Sequence, residues 1–210
     1  MTFDSAYTVT ALVTMIVVID PIAIAPMFLA LTPGMGAAQR RRVAWRACAI
    51  AAVLLLVFAA LGEAVLDFIG ISMPAFRVAG GLLLFLTALD MLFDRRTRRR
   101  EDRTEADDHD DPSVFPLAIP LIAGPGAIAS VILLTAQKPG GEGLVTTAAI
   151  TLAVLAVMGA VMQASSYLER VLSRTAIDVI TRLLGMLLAA LSVQFVLDGL
   201  RDFGFGPVAG

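Results

Sequence analysis

The chain has 210 residues, of which 58% are hydrophobic and 16% charged, and its net charge is -2. A water-soluble domain carries about 25% charged residues, so this composition excludes an ordinary soluble enzyme or binding module and points to a protein dissolved in a bilayer. Cys48 is the single cysteine, which excludes an intramolecular disulfide and a cysteine cluster.

Apolar stretches recur, in chain order, at 7–32, 47–68, 75–93, 114–136, 144–167 and 179–200. Each suffices for a membrane helix, which needs about 20 residues to cross roughly 30 Å of hydrocarbon. Six spans are therefore expected. Met1 to Ser5 carry no positive charge ahead of the first stretch, which argues for a helix that stays in the membrane and against a cleaved signal peptide. The first span holds Asp20-Pro21-Ile22-Ala23-Ile24-Ala25-Pro26 at its middle. Glu63 lies toward the outer end of the second span, and Arg77 and Asp90 lie near the ends of the third; a solvated carboxylate is the default for both acids. Asp94–Pro112 is the one long hydrophilic connection, basic over Arg95–Arg103 and acidic over Glu105–Asp111. Asp107 to Asp111, with His109, reads as a solvated charge run and not as a cation site. The basic half sits beside lipid headgroups, and nucleic-acid binding there is implausible next to a membrane and an acidic run. The fourth and fifth spans are free of charge, and the fourth holds Gly124-Pro125-Gly126-Ala127-Ile128-Ala129-Ser130. Gln163 and Gln194, in the last two spans, either line a pathway or bond across helices. Trp45, Tyr167 and Phe203 stand near span ends, as interfacial anchors do.

Basic residues orient the bundle. Of 16, 13 fall in the connections after spans one, three and five or just inside the last span; only Arg77, Lys138 and Arg201 fall on the opposite side. The positive-inside rule puts the first group in the cytoplasm, with linker 94–113 there and both termini outside.

The chain also repeats itself. Asp20-Pro21 and Gly124-Pro125 are 104 positions apart. Arg77 through Gly80-Gly81 to Thr87 matches Arg182 through Gly185 to Ser192 at an offset of 105. Residues 1–93 and 114–210 thus read as two repeats of three spans each. An odd number of spans forces the second to lie inverted. The expected fold is an all-α polytopic bundle of two inverted three-helix repeats, with helices 1 and 4 discontinuous.

A proline within a membrane helix removes a backbone hydrogen bond, and two breaks at matching points of two halves point to a substrate site at the bilayer midplane. Asp20 is an ionisable residue near the bilayer centre, and it is also a good N-cap for a half-helix starting at Pro21. Pro26 frees the carbonyl of Ile22 as an acceptor. At the second break the cap position, Gly124, has no side chain. Helix-start amides at Gly126, Ala127 and Ile128 would be open to an anion. An Asp at 124 is expected to supply the missing cap without harming the fold. A short zwitterion fits between the two starts, its carboxylate on the amides and its ammonium on Asp20. Ser130, Thr87 and Ser192 are equally readable as small-residue packing, and Gly80, Gly81 and Gly185 as sites of close helix contact. The candidate binding residues are Asp20, Pro21, Ile22, Gly124, Pro125, Gly126, Ala127, Ile128 and Ser130.

The motifs Asp20-Pro21 through Pro26 with Phe28-Leu29, Ile71-Ser72-Met73-Pro74-Ala75-Phe76-Arg77 with Gly80-Gly81, Ile119-Pro120 through Gly126, and Gly185 through Asp198-Gly199 together resemble the MarC family of six-span integral membrane proteins. The resemblance implies a bacterial or archaeal cytoplasmic-membrane protein related to transporters of small neutral amino acids such as glycine and alanine. With no phosphate-binding loop in the chain, H+ or Na+ is the expected coupling ion. No cofactor or metal is expected. A membrane scaffold or assembly factor is the competing reading. An enzyme is the weakest, since no nucleophile and base stand at helical spacing within a span.

Overall fold

Helix length separates the spans from the connections. A computed structural model describes residues 5–93, 111–171 and 173–205, and every regular element among them is helical. The elements are α1 (Ser5–Ile19), α2 (Pro21–Leu31), α3 (Ala37–Phe68), α4 (Met73–Leu92), an irregular segment (Ser113–Ile122), α5 (Pro125–Gln137), α6 (Gly141–Val171) and α7 (Arg174–Asp202). Among the described residues five helices are long and apolar enough to cross a membrane, α1 and α2 counting together as Ser5–Leu31. The Ser113–Ile122 segment with α5 makes a sixth, bent by 54° at its break. Both interruptions fall where the Asp-Pro and Gly-Pro pairs put them. Most of the charged linker, including Arg95–Arg103 and His109, lies outside the described residues; its last residue, Ser113, is already fully buried in the bundle.

One boundary differs by a full ten residues. The second span was expected from 47, but α3 starts at Ala37 and includes Arg40, Arg41, Arg42 and Arg46. Hydropathy marks hydrocarbon, whereas α3, with 32 residues, is about 48 Å long and overhangs a core of about 30 Å. Its arginine-bearing turns lie in the overhang.

The core is built between the halves of the chain. α3 packs on α6, α5 and Ser113–Ile122; α6 packs on α3, α2 and α1. Glycines set how closely these helices approach. A Cβ on Gly62 of α3 would lie 2.5 Å from Ile132 of α5, and one on Gly159 of α6 would lie 2.9 Å from the Trp45 ring. Trp45, read as an interfacial anchor, therefore also fills a notch in α6.

α4 and α7 run antiparallel along their whole length. Gly199 faces Pro74 and Val78, Gly81 faces Ser192 and Val196, and Gly185 faces Ala88 and Met91. At Gly81 a Cβ would come within 2.8 Å of the Ser192 carbonyl oxygen, a contact that backbone cannot relieve. Gly80 looks the other way, toward Leu133 of α5. The expected close helix contacts are thus found at all three predicted glycines.

Candidate functional site

The first break takes a single residue. The Asp20 amide closes the last turn of α1 on the Ile16 carbonyl at 2.9 Å, and its own carbonyl accepts from Ile24 at 3.3 Å to open α2. Between them the backbone sits at φ 54, ψ 68, the left-handed region, which Asp and Asn tolerate better than other side chains. Oδ1 accepts from the Ala23 amide at 3.3 Å, so the expected cap is present, with Pro21 in the first turn where its missing N–H costs nothing. Asp20 is 0% exposed. A carboxylate held at this depth is expensive, and a cap alone does not require its charge, because Asn or Ser also caps.

The second break is longer and looser. Before it, Phe115 and Ile119 adopt extended backbone (φ -126, ψ 130 and φ -130, ψ 125), each directly ahead of a proline whose ring disfavours a helical neighbour. Span four is therefore interrupted at Pro116 and Pro120 as well as at Gly124. No side chain caps α5 at Gly124, as expected. Two expectations need correction. The Ile128 amide donates to the Gly124 carbonyl at 3.0 Å, which leaves Gly126 and Ala127 as the amides of this helix start. And Gly124 is not a vacant cap position: a Cβ there would lie 2.6 Å from the Pro120 carbonyl oxygen, so glycine is required for the turn itself. An Asp at 124 would disrupt the break before it could cap it.

Side-chain contacts place the two breaks at one level. The Tyr7 hydroxyl reaches the Leu134 carbonyl, and Val18 borders Gly126, so α1 and α5 run antiparallel in a register that carries Asp20 to the level of Gly124. The space where a Gly126 side chain would sit is bounded by Val18 Cγ1 at 3.5 Å, Leu84 Cδ2 at 3.5 Å and Thr87 Oγ1 at 3.4 Å. Pro21, Ala127 and Ser130 are buried, Ile22, Gly124 and Gly126 half-buried, and Pro125 exposed. The Asp20 side is thus sealed while the α5 start is partly open. Ser130 donates to the Gly126 carbonyl at 2.8 Å, a back-bond within α5.

Thr87 was readable as mere packing, yet its hydroxyl, donating to Leu83 at 2.9 Å, stands against Gly126. Thr14 was missed altogether. It is fully buried one turn before Val18, and its hydroxyl has no hydrogen-bond partner among the described residues. A lone threonine in an apolar stretch gives no sequence signal. Ser192, the repeat partner of Thr87, donates to Ala189 at 2.7 Å within α7. Gln163 and Gln194 do not line an interior path: both are exposed on the outer surface of the bundle, Gln163 bonded to Gly159 and Gln194 to Asp198. Glu63 is likewise exposed.

The MarC-family model, described as an integral membrane protein family, matches residues 5–203, which takes in every described helix and both breaks. The chain belongs to the MarC family. Relatives at similar distance span bacteria and archaea. The UPF0056 membrane protein of Archaeoglobus fulgidus is 36% identical over 194 residues, covering 90% of each chain. The UPF0056 membrane protein YvbG of Bacillus subtilis is 33% identical over 210 residues, covering 97% of each. The UPF0056 membrane protein YhcE of Escherichia coli is 34% identical over 187 residues, covering 87% of this chain and 86% of the relative. No solved structure matches the chain. This MarC-family protein is accordingly a multi-pass integral membrane protein whose relatives occupy cells with a plasma membrane.

Proposed function

We propose that this MarC-family protein is a secondary transporter of small neutral amino acids, glycine- or alanine-like, or of similarly small metabolites, coupled to H+ or Na+. The observation that carries the reading is the meeting of two broken spans at one level, a buried carboxylate at one break and an uncapped helix start at the other. In this reading the Gly126 and Ala127 amides receive the substrate carboxylate, Asp20 takes the ammonium group or the coupling ion, and the Ile22 carbonyl, left without a helical donor by Pro26, adds an acceptor. Val18, Leu84 and Thr87 crowd the space beside Gly126, which favours a substrate with little or no side chain. We place linker 94–113 in the cytoplasm and both termini outside, and we take the halves as inverted repeats. The reciprocal packing supports that arrangement: α2 and α1 lie on α6 as α5 and Ser113–Ile122 lie on α3.

Purified protein in liposomes, given labelled glycine and alanine with imposed H+ or Na+ gradients, tests the reading. Gradient-driven uptake supports it. Absence of flux for both, in protein of verified insertion, returns the chain to the scaffold reading, in which the breaks serve packing alone.

A further inference from the structure

We propose that the two broken spans are latched at their starts on opposite faces of the bundle, by Tyr7 on one and Asp111 on the other, and that these latches are the gates to the breaks. Calling them gates rests on the transport reading; the latches themselves do not.

At the face where α1 begins, the Tyr7 hydroxyl donates to the Leu134 carbonyl at 2.9 Å and lies 2.7 Å from the Thr147 hydroxyl. The Lys138 ammonium stands 5.8 Å over the Tyr7 ring. One side chain thus ties the start of α1 to the end of α5 and to α6. It closes the end of the α1–α5 seam that runs past Thr14 and Val18 to Gly126. At the opposite face, Asp111 ion-pairs with Arg46 of α3 and accepts from the Ser113 amide at 3.0 Å, fixing the start of Ser113–Ile122 to α3. Beside it, Arg40 donates to the Thr32 carbonyl at 3.1 Å and to the Ser166 hydroxyl at 3.3 Å, holding the end of α2 to α3 and α6. Tyr7 and Asp111 are 104 positions apart, the same offset as the two breaks. With both latches made, Asp20 is inaccessible from either side.

The latches differ in kind. Tyr7 and Thr147 are 9% and 0% exposed, whereas the side chains of Arg46 and Asp111 are 58% and 36% exposed. Salt screens an exposed ion pair and leaves a buried hydrogen bond untouched. The Asp111 face therefore opens more readily, and rising ionic strength favours it.

Cysteine accessibility in native membranes tests this without a known substrate. In a Cys48→Ala background, Val18→Cys is labelled with a membrane-impermeant maleimide in sealed vesicles of each orientation. The latched protein labels slowly from both faces. Tyr7→Phe raises the rate about tenfold from the Tyr7 face only, the shift expected when roughly one net buried hydrogen bond is lost. Asp111→Asn raises it from the opposite face only, added salt does the same to unmodified Asp111, and the swap of Arg46→Asp with Asp111→Arg restores slow labelling. Should Tyr7→Phe fail to fold, Thr147→Val removes one of the same bonds. Variants that run as folded protein on gel filtration yet label like the parent, or equally from both faces, overturn the proposal. One-sided labelling without flux of any tested amino acid keeps the latches and overturns the transport reading; flux with unchanged labelling does the reverse.

Discussion

The two breaks solve one problem in different ways. At Asp20 the chain turns within one residue, its amide closes α1, its carbonyl and side chain accept from the first turn of α2, and that side chain is sealed in the core. At Gly124 the chain needs a stretch kinked at Pro116 and Pro120, bends by 54°, and leaves the new helix without a side-chain cap and partly exposed. A capped, sealed start is a finished structural joint with a carboxyl group in it. An uncapped one is unfinished until something supplies an acceptor. The comparison teaches that motifs matched in sequence need not be built alike: one break carries a buried carboxyl group that caps its own helix, and the other leaves its helix start without a side-chain cap.

Substitutions at the breaks can force the two apart. The largest effect is expected at Gly124: Gly124→Ala drives a Cβ into the Pro120 carbonyl and should cost about 1–3 kcal/mol, read as a fall in unfolding temperature in detergent. An unchanged midpoint would mean that the turn relaxes and that glycine is dispensable there. Asp20→Ala comes next, at about 2 kcal/mol, from the lost cap and the left-handed backbone together. Asp20→Asn keeps both features and should cost under about 1 kcal/mol, while coupled uptake collapses. Near-normal coupled uptake by the Asn variant would reduce Asp20 to a cap.

Gly126→Ala sharpens the comparison from the other side. Its methyl would meet Val18, Leu84 and Thr87 at ordinary contact distance, so stability should hold within about 1 kcal/mol. The methyl occupies the space beside the open amides, and glycine uptake should fall severalfold; wild-type uptake would move the carboxylate site elsewhere. The smallest effect concerns pH. The Ser113 hydroxyl, and with it the Ser113 amide and Arg46, hold the Asp111 carboxyl below its ordinary range, against a smaller opposing effect of burial. A depressed carboxylate stabilises the fold above its unfolded value, about 4, and loses that contribution as pH falls through its own lower value. The stability difference between the parent and Asp111→Asn should therefore be flat above about pH 5 and shrink only in stronger acid.

The positions of both breaks were legible because a Pro that follows Asp or Gly inside an apolar run interrupts the helix whatever surrounds it. Gly80, Gly81 and Gly185 were legible because they stand in the stretches that match from Arg77 and Arg182, whereas Gly199, packed on Pro74 and Val78, carried no such mark. What hydropathy could not show was where α3 begins, since arginine is as good in a helix outside hydrocarbon as leucine is within it. The need for glycine at 124 was hidden because it depends on a carbonyl four residues earlier swinging toward it through an irregular backbone. Thr87 beside Gly126, and Tyr7 bonded to Thr147, join positions far apart in the chain, and one sequence carries no trace of such pairings.

The interlocking of the halves bears on how the molecule is made. α4 packs chiefly on α7, and α3 packs on α5 and α6, these partners all being helices of the second half. Translation delivers the first three spans before the helices of the second half on which they pack exist. Assembly must therefore finish after the last helix is inserted. A truncated product lacking α7 would leave α4 without that partner, a natural target for membrane quality-control proteases.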